Sequence, residues 1–98
     1  DRSPSRGLGD VYKRQIQYRR LLSPVQWQLL IAIAKEERVF QPQSKAFLAK
    51  YKIGTPANSK RALEALLDKE MIFKEEDLRN SWYQVYDVFL SRWLQLTF

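Results

Sequence analysis

The sequence predicts a mostly α domain of the α+β class: a three-helix core closed by a small antiparallel β-hairpin. Three observations predict it. Two segments open with a hydroxyl residue followed directly by proline, Ser23–Pro24 and Thr55–Pro56, which is how many helices begin. Apolar residues then recur at helical spacing as far as Leu67. Beyond Met71 the pattern shifts to the two-residue alternation of strands, with a polar turn between two short runs.

The first helix is "SPVQWQLLIAIAKEE". Ser23 is its N-cap, Pro24 takes the first helical position, and Gln26 completes a Ser-x-x-Gln capping box. Trp27, Leu30, Ile31 and Ala34 form one apolar stripe, and the Glu36–Glu37 pair at the unfavourable end of the dipole marks the stop. Before it, "IQYRRLL" reads as a short helical lead-in. "RVFQPQ" is β-branched and aromatic and then broken by Pro42, so it reads as a small strand. "SKAFLAKYKIG" gives a second helix, capped by Ser44, buried through Phe47, Leu48 and Tyr51, and stopped by Gly54. "TPANSKRALEALLDKEM" gives a third, with Thr55 as cap and Ser59, Leu63, Leu66, Leu67 and Glu70 on its inner side.

"MIFKEE" and "WYQVYDVF" read as strands around "DLRNS". In the second, Trp82, Gln84, Tyr86 and Val88 share one face and Tyr83, Val85 and Asp87 the other; either face can pack inward, and the first is the more apolar. "LSRWLQLTF" closes the chain as a helix with Leu90, Trp93 and Leu94 inward. Two helices across a Gly-containing turn form a helix-turn-helix, and the hairpin adds a wing. The predicted architecture is therefore a winged helix-turn-helix.

Residues 1–15, "DRSPSRGLGDVYKRQ", show almost no apolar periodicity and read as a leader. The "GLG" within them lacks the flanking strand and helix of a phosphate-binding turn. The stretch resembles a translated sequencing-adaptor scar from assembled metagenomic reads, and no initiator Met precedes it. The expectation is a non-native leader over 1–15 and a winged-helix domain over 16–98, the C-terminal fragment of a larger protein.

Composition narrows the chemistry. The chain has 98 residues, no His and no Cys, which removes the commonest catalytic base, thiolate nucleophiles and the two commonest metal ligands. "KEE" at Lys35–Glu37 and "EED" at Glu75–Asp77 read as solvated charge runs. There is no Walker-type GxxxxGK[ST]. The expectation is no catalytic, metal or cofactor site, and so no enzyme within these residues. The longest apolar run, Leu29–Ala34, is too short to span a bilayer, so a soluble cytoplasmic domain with no membrane partner is expected.

The net charge is +6, which permits nucleic-acid contact. A helix-turn-helix offers the start of its second helix to the major groove. With Leu63 inward, Asn58, Arg61 and Ala65 point outward and Lys60 lies at the border; Asn suits adenine and Arg suits guanine. Lys45, Lys50 and Lys52 are placed to meet phosphates, and Arg79 lies at the wing tip. The DNA-binding candidates are thus Lys45, Asn58, Lys60, Arg61 and Arg79. Against them stand Glu64 and Asp68 on the same outer face, and three acids beside Lys74 and Arg79 in "KEEDLRNS". Lys60 and Arg61 also have helical spacing for pairing with Glu64, which would make them solubilising residues. Trp27, Trp82 and Trp93 raise a further possibility, stacking of single-stranded bases.

"LSPVQWQLLIAIA", "GTPANSKRALEALLDKEMI" and "YDVFLSRWL" together resemble the C-terminal winged-helix region of prokaryotic, archaeal-type AAA-family ATPases. The closing motif there often has Pro where Val88 stands. The resemblance covers about Leu22–Leu94. It implies an upstream ATPase module in the same chain, using ATP and Mg, with this domain contacting DNA, the ATPase body or another protein. None of the family's nucleotide-binding residues falls here. The alternatives are a stand-alone transcription regulator and a purely protein-binding winged helix.

Overall fold

The computed structural model describes residues 20–98. The 1–15 leader and residues 16–19 of the lead-in lie outside them; Arg20 and Leu21 are helical. Four helices and one hairpin follow: α1 (Pro24–Glu36), α2 (Lys45–Tyr51), α3 (Pro56–Asp68), β1 (Ile72–Glu76), β2 (Ser81–Val85) and α4 (Val88–Thr97). This is the predicted mostly helical α+β winged-helix architecture.

The starts of α1, α2 and α3 are those the sequence announces. The Ser23 hydroxyl accepts from the Gln26 N–H, and the Gln26 side chain accepts from the Ser23 N–H, closing the capping box. Ser44 accepts from the Phe47 N–H and Thr55 from the Asn58 N–H. Each cap satisfies a donor that the first helical turn leaves without a partner.

α1 is the centre of the molecule. It packs against α3, α4, β2 and α2, so it is buried beyond the predicted stripe: Leu29, Ala32 and Ile33 are enclosed along with Trp27, Leu30, Ile31 and Ala34. Leu29, Leu30, Ile33, Leu66 and Leu94 are fully buried. Each such side chain contributes roughly 1.5–3 kcal/mol relative to exposure. Side-chain amides tie the helices together at their ends. Gln95 donates to the Ala34 carbonyl at 2.7 Å and Gln28 to the Tyr51 carbonyl at 2.9 Å. Both acceptors are carbonyls in the last turn of a helix, where backbone partners run out.

Several local expectations are corrected. α2 stops at Lys52, not Gly54: Lys52 is left-handed (φ 54°) and its N–H donates to the Ala49 and Leu48 carbonyls. Gly54 (φ 109°) then turns the chain toward α3. "RVFQPQ" contributes a single bridge, Val39 to Tyr83, with N–H to carbonyl distances of 3.0 and 2.9 Å in the two directions. α3 ends at Asp68, so Glu70 lies past it, exposed with φ 58°, while Ala62 takes a place on the inner side. β2 ends at Val85, because Asp87 caps α4 by accepting from the Phe89 and Leu90 N–H groups.

The hairpin register runs from Ile72↔Val85 to Glu76↔Ser81. Its core-facing side is the one carrying Val85 and Tyr83, with Tyr86 and Val88 exposed, the reverse of the more apolar choice. Trp82 is buried on the other side instead. There the Arg38 guanidinium lies 4.8 Å from the centre of its ring and Phe40 packs at 5.7 Å. Local cover from the 38–40 segment, not the main core, accounts for its burial.

Candidate nucleic-acid interface

α3 follows Gly54 directly, and its first turn is fixed by Thr55, Pro56 and Ser59. Ser59 is fully buried, and its hydroxyl donates to the Pro42 carbonyl at 2.8 Å. That bond locks the rotation of α3 against the α1–α2 connection. With Ser59, Ala62, Leu63 and Leu66 inward, a rotation of about 100° per residue sends Ala57, Arg61, Glu64 and Asp68 most directly outward. Asn58, Lys60 and Arg61 are all exposed. Ala65, expected outside, is half-buried, because it lies on the flank of α3.

Among the described residues the one ion pair is Lys50–Glu36, at 2.8 Å. Lys60 and Arg61 therefore do not pair with Glu64, although the spacing allows it. Asn58 and Arg61 line a hollow of about 190 Å³ with Ser23, Val25, Gln26 and Ala62. The site is thus bounded on one side by the capped start of α1. A side chain at Gly54 would stand in ordinary contact with the Asn58 amide nitrogen, at 3.6 Å; it is the backbone there, at φ 109°, that favours glycine.

The remaining candidates sit on other elements. Lys45 is the first residue of α2 and is exposed. Arg79 is exposed in the hairpin turn, where its backbone N–H donates to the Asp77 carboxylate at 2.8 Å. Lys50 and Lys52 line a separate groove between α1 and α2 together with Lys35. Lys50 is further engaged with Glu36, which also accepts from the Tyr51 hydroxyl. Hydrogen bonds from Lys50 and then Tyr51 hold the Glu36 carboxyl below its ordinary range. Two hydrogen bonds, from the backbone N–H groups of Arg79 and Asn80, hold Asp77 low as well.

Stacking of single-stranded bases loses its platform. Trp27 is 8% exposed and Trp82 7%, and Trp93 packs its ring edge-on with Phe98. Arg38 is a charged residue that sequence reasoning missed; its partner Trp82 lies forty-four residues away, and no local pattern pairs them. Among the described residues no group of three or more acidic side chains is arranged to hold a metal ion. No described helix is long and apolar enough to cross a membrane.

Residues 12–96 match the family model described as "Probable winged helix domain". The chain belongs to this winged-helix family. The same fold is seen in a solved structure, a mutant of ZitR from Lactococcus lactis in its apo form. That likeness covers 94% of this chain and 70% of the ZitR chain, with a TM-score of 0.52 and 18% identity. No curated protein matches the chain.

Proposed function

We propose that this winged helix is a docking module that sets the first two turns of α3 against duplex DNA. In this reading Asn58 and Arg61 meet base edges, and Lys45 and Lys60 meet phosphates. The observation that carries it is the free amino-terminal half of α3. Asn58, Lys60 and Arg61 are exposed and outside any described ion pair, on a helix whose other face is anchored by Ser59 and Leu63. Asp68 lies about 10 Å further along the axis than Arg61, so a helix entering a groove start-first carries its acidic end away from the backbone. Arg79 is the weakest of the candidates, since Glu75, Glu76 and Asp77 precede it closely in sequence.

The resemblance of the three motifs to archaeal-type AAA-family ATPases supports placing the module at the C-terminal end of an ATP-binding protein. Nucleotide state upstream would then change how α3 is presented. A Walker motif in the upstream coding sequence supports that parent; a start codon just before Ile16 supports a stand-alone regulator instead.

The direct test is titration of the domain against duplex DNA at several salt concentrations. Two or three phosphate contacts predict a log–log slope of about −2 to −3. Arg61→Glu is expected to lose tenfold or more in affinity with an unchanged melting temperature. No binding at low salt, or unchanged affinity in the variant, rejects the reading. The acidic wing favours a second reading, docking on a protein.

A further inference from the structure

The tip of the hairpin and the groove between α1 and α2 complement each other. Leu78 is fully exposed, at 104%, the highest value among the large apolar side chains described. It is presented by an ordered turn: the Asp77 carboxylate accepts from the Arg79 and Asn80 N–H groups at 2.8 and 2.7 Å, and the Asp77 N–H donates to the Asn80 carbonyl at 2.8 Å. Glu75, Glu76 and Asp77 precede it in an unbroken acidic run, all exposed. Phosphates repel such a collar, so Leu78 is unsuited to wedging between DNA bases. An apolar knob in an acidic collar fits an apolar hollow with a cationic rim.

The chain carries such a hollow. A groove of about 410 Å³ has Ile31, Tyr51 and Phe98 on its walls and Lys35, Lys50 and Lys52 around them. Lys50 is paired with Glu36, which leaves Lys35 and Lys52 as the cations open to a newcomer. Lys35 has no part in the DNA reading; Lys52, which the sequence placed near phosphates, lies on this separate groove and outside the contacts proposed for α3.

We infer that a second copy of this chain docks its hairpin tip in this groove, with Leu78 against Ile31, Tyr51 and Phe98, and Glu75 and Glu76 facing Lys35 and Lys52. The contact is head-to-tail: each copy offers a tip and a groove, so association extends into a ring or an open chain. One side chain and its collar cover far less than a stable interface does, so the contact is weak and transient. It supplies spacing between copies, and it operates whether or not α3 meets DNA.

Sedimentation velocity without DNA tests it. The wild-type domain is expected to associate with rising concentration into the millimolar range at low salt, and to dissociate as salt is added. Leu78→Ser is expected to weaken association about tenfold without shifting the melting temperature, since that side chain touches nothing in the monomer. The decisive experiment is a charge swap. A wing variant (Glu75→Lys with Glu76→Lys) and a groove variant (Lys35→Glu with Lys52→Glu) should each stay monomeric alone and associate when mixed. A wild-type domain that stays monomeric at millimolar concentration and low salt overturns the inference. So does a Leu78→Ser variant that associates like the wild type, or a mixture of the two charge variants that stays monomeric.

Discussion

Ser59 is the only buried polar side chain described, and its single hydrogen bond to the Pro42 carbonyl sets the rotation of the helix that carries the proposed interface. Ser59→Ala leaves that carbonyl unpaired in the interior. We expect a loss of about 1–3 kcal/mol, read as a lowered denaturant midpoint, with weaker DNA binding because α3 can then turn. Two carboxylates carry the acid response. Glu36 and Asp77 both have folded values depressed by hydrogen bonds. Their contributions are present above the unfolded carboxylate range of about 4 and are lost as pH falls through the lower folded values. An acid titration followed by chemical shifts should show both carboxyls titrating below their ordinary range, with Asp77→Asn removing the step at the hairpin. The Ser59 bond was only half legible in the sequence. Helical spacing put Ser59 on the inner side, but nothing local names Pro42, seventeen residues earlier, as its acceptor.

At the scale of the element, the starts of α1, α2 and α3 and the end of α1 were legible, whereas the end of α2 and the start of α4 were not. Ser23, Ser44 and Thr55 are short-range signals, because a cap and the N–H it serves lie three residues apart. The end of α2 depends on Lys52 entering the left-handed region, which a lysine side chain does not announce. The inward side of β2 stayed open in the sequence, because alternation within a strand cannot report what covers each side; Trp82 is covered by Arg38 and Phe40 from outside the hairpin. The start of α4 offers a sharper prediction. Val88 occupies its first helical position, is exposed, and follows Asp87 in an extended conformation (φ −88°, ψ 112°). Proline is accepted at that position, and the residue before it is already in the region proline requires. Val88→Pro is expected to be neutral or to stabilise by about 0.4–1 kcal/mol, measured by thermal melting. A drop of more than that would show that the backbone at Val88 is differently placed.

For the whole molecule, stability is concentrated where α3 crosses α1. Leu66 is fully buried in the same cluster as Leu29, Leu30 and Ile33. Leu66→Ala should therefore cost about 2–5 kcal/mol, a large share of a small domain's total, whereas Leu78→Ser should cost nothing measurable. Denaturant melts of the two variants side by side separate core from surface. The hairpin is held differently. At its midpoint, Val39 and Tyr83 exchange both of their backbone hydrogen bonds, while its turn is exposed. That reciprocal pair makes the wing a lever with a clamped fulcrum. A load applied at the turn is passed partway along the strand to the segment joining α1 and α2, the same stretch whose Pro42 carbonyl accepts from Ser59 on α3.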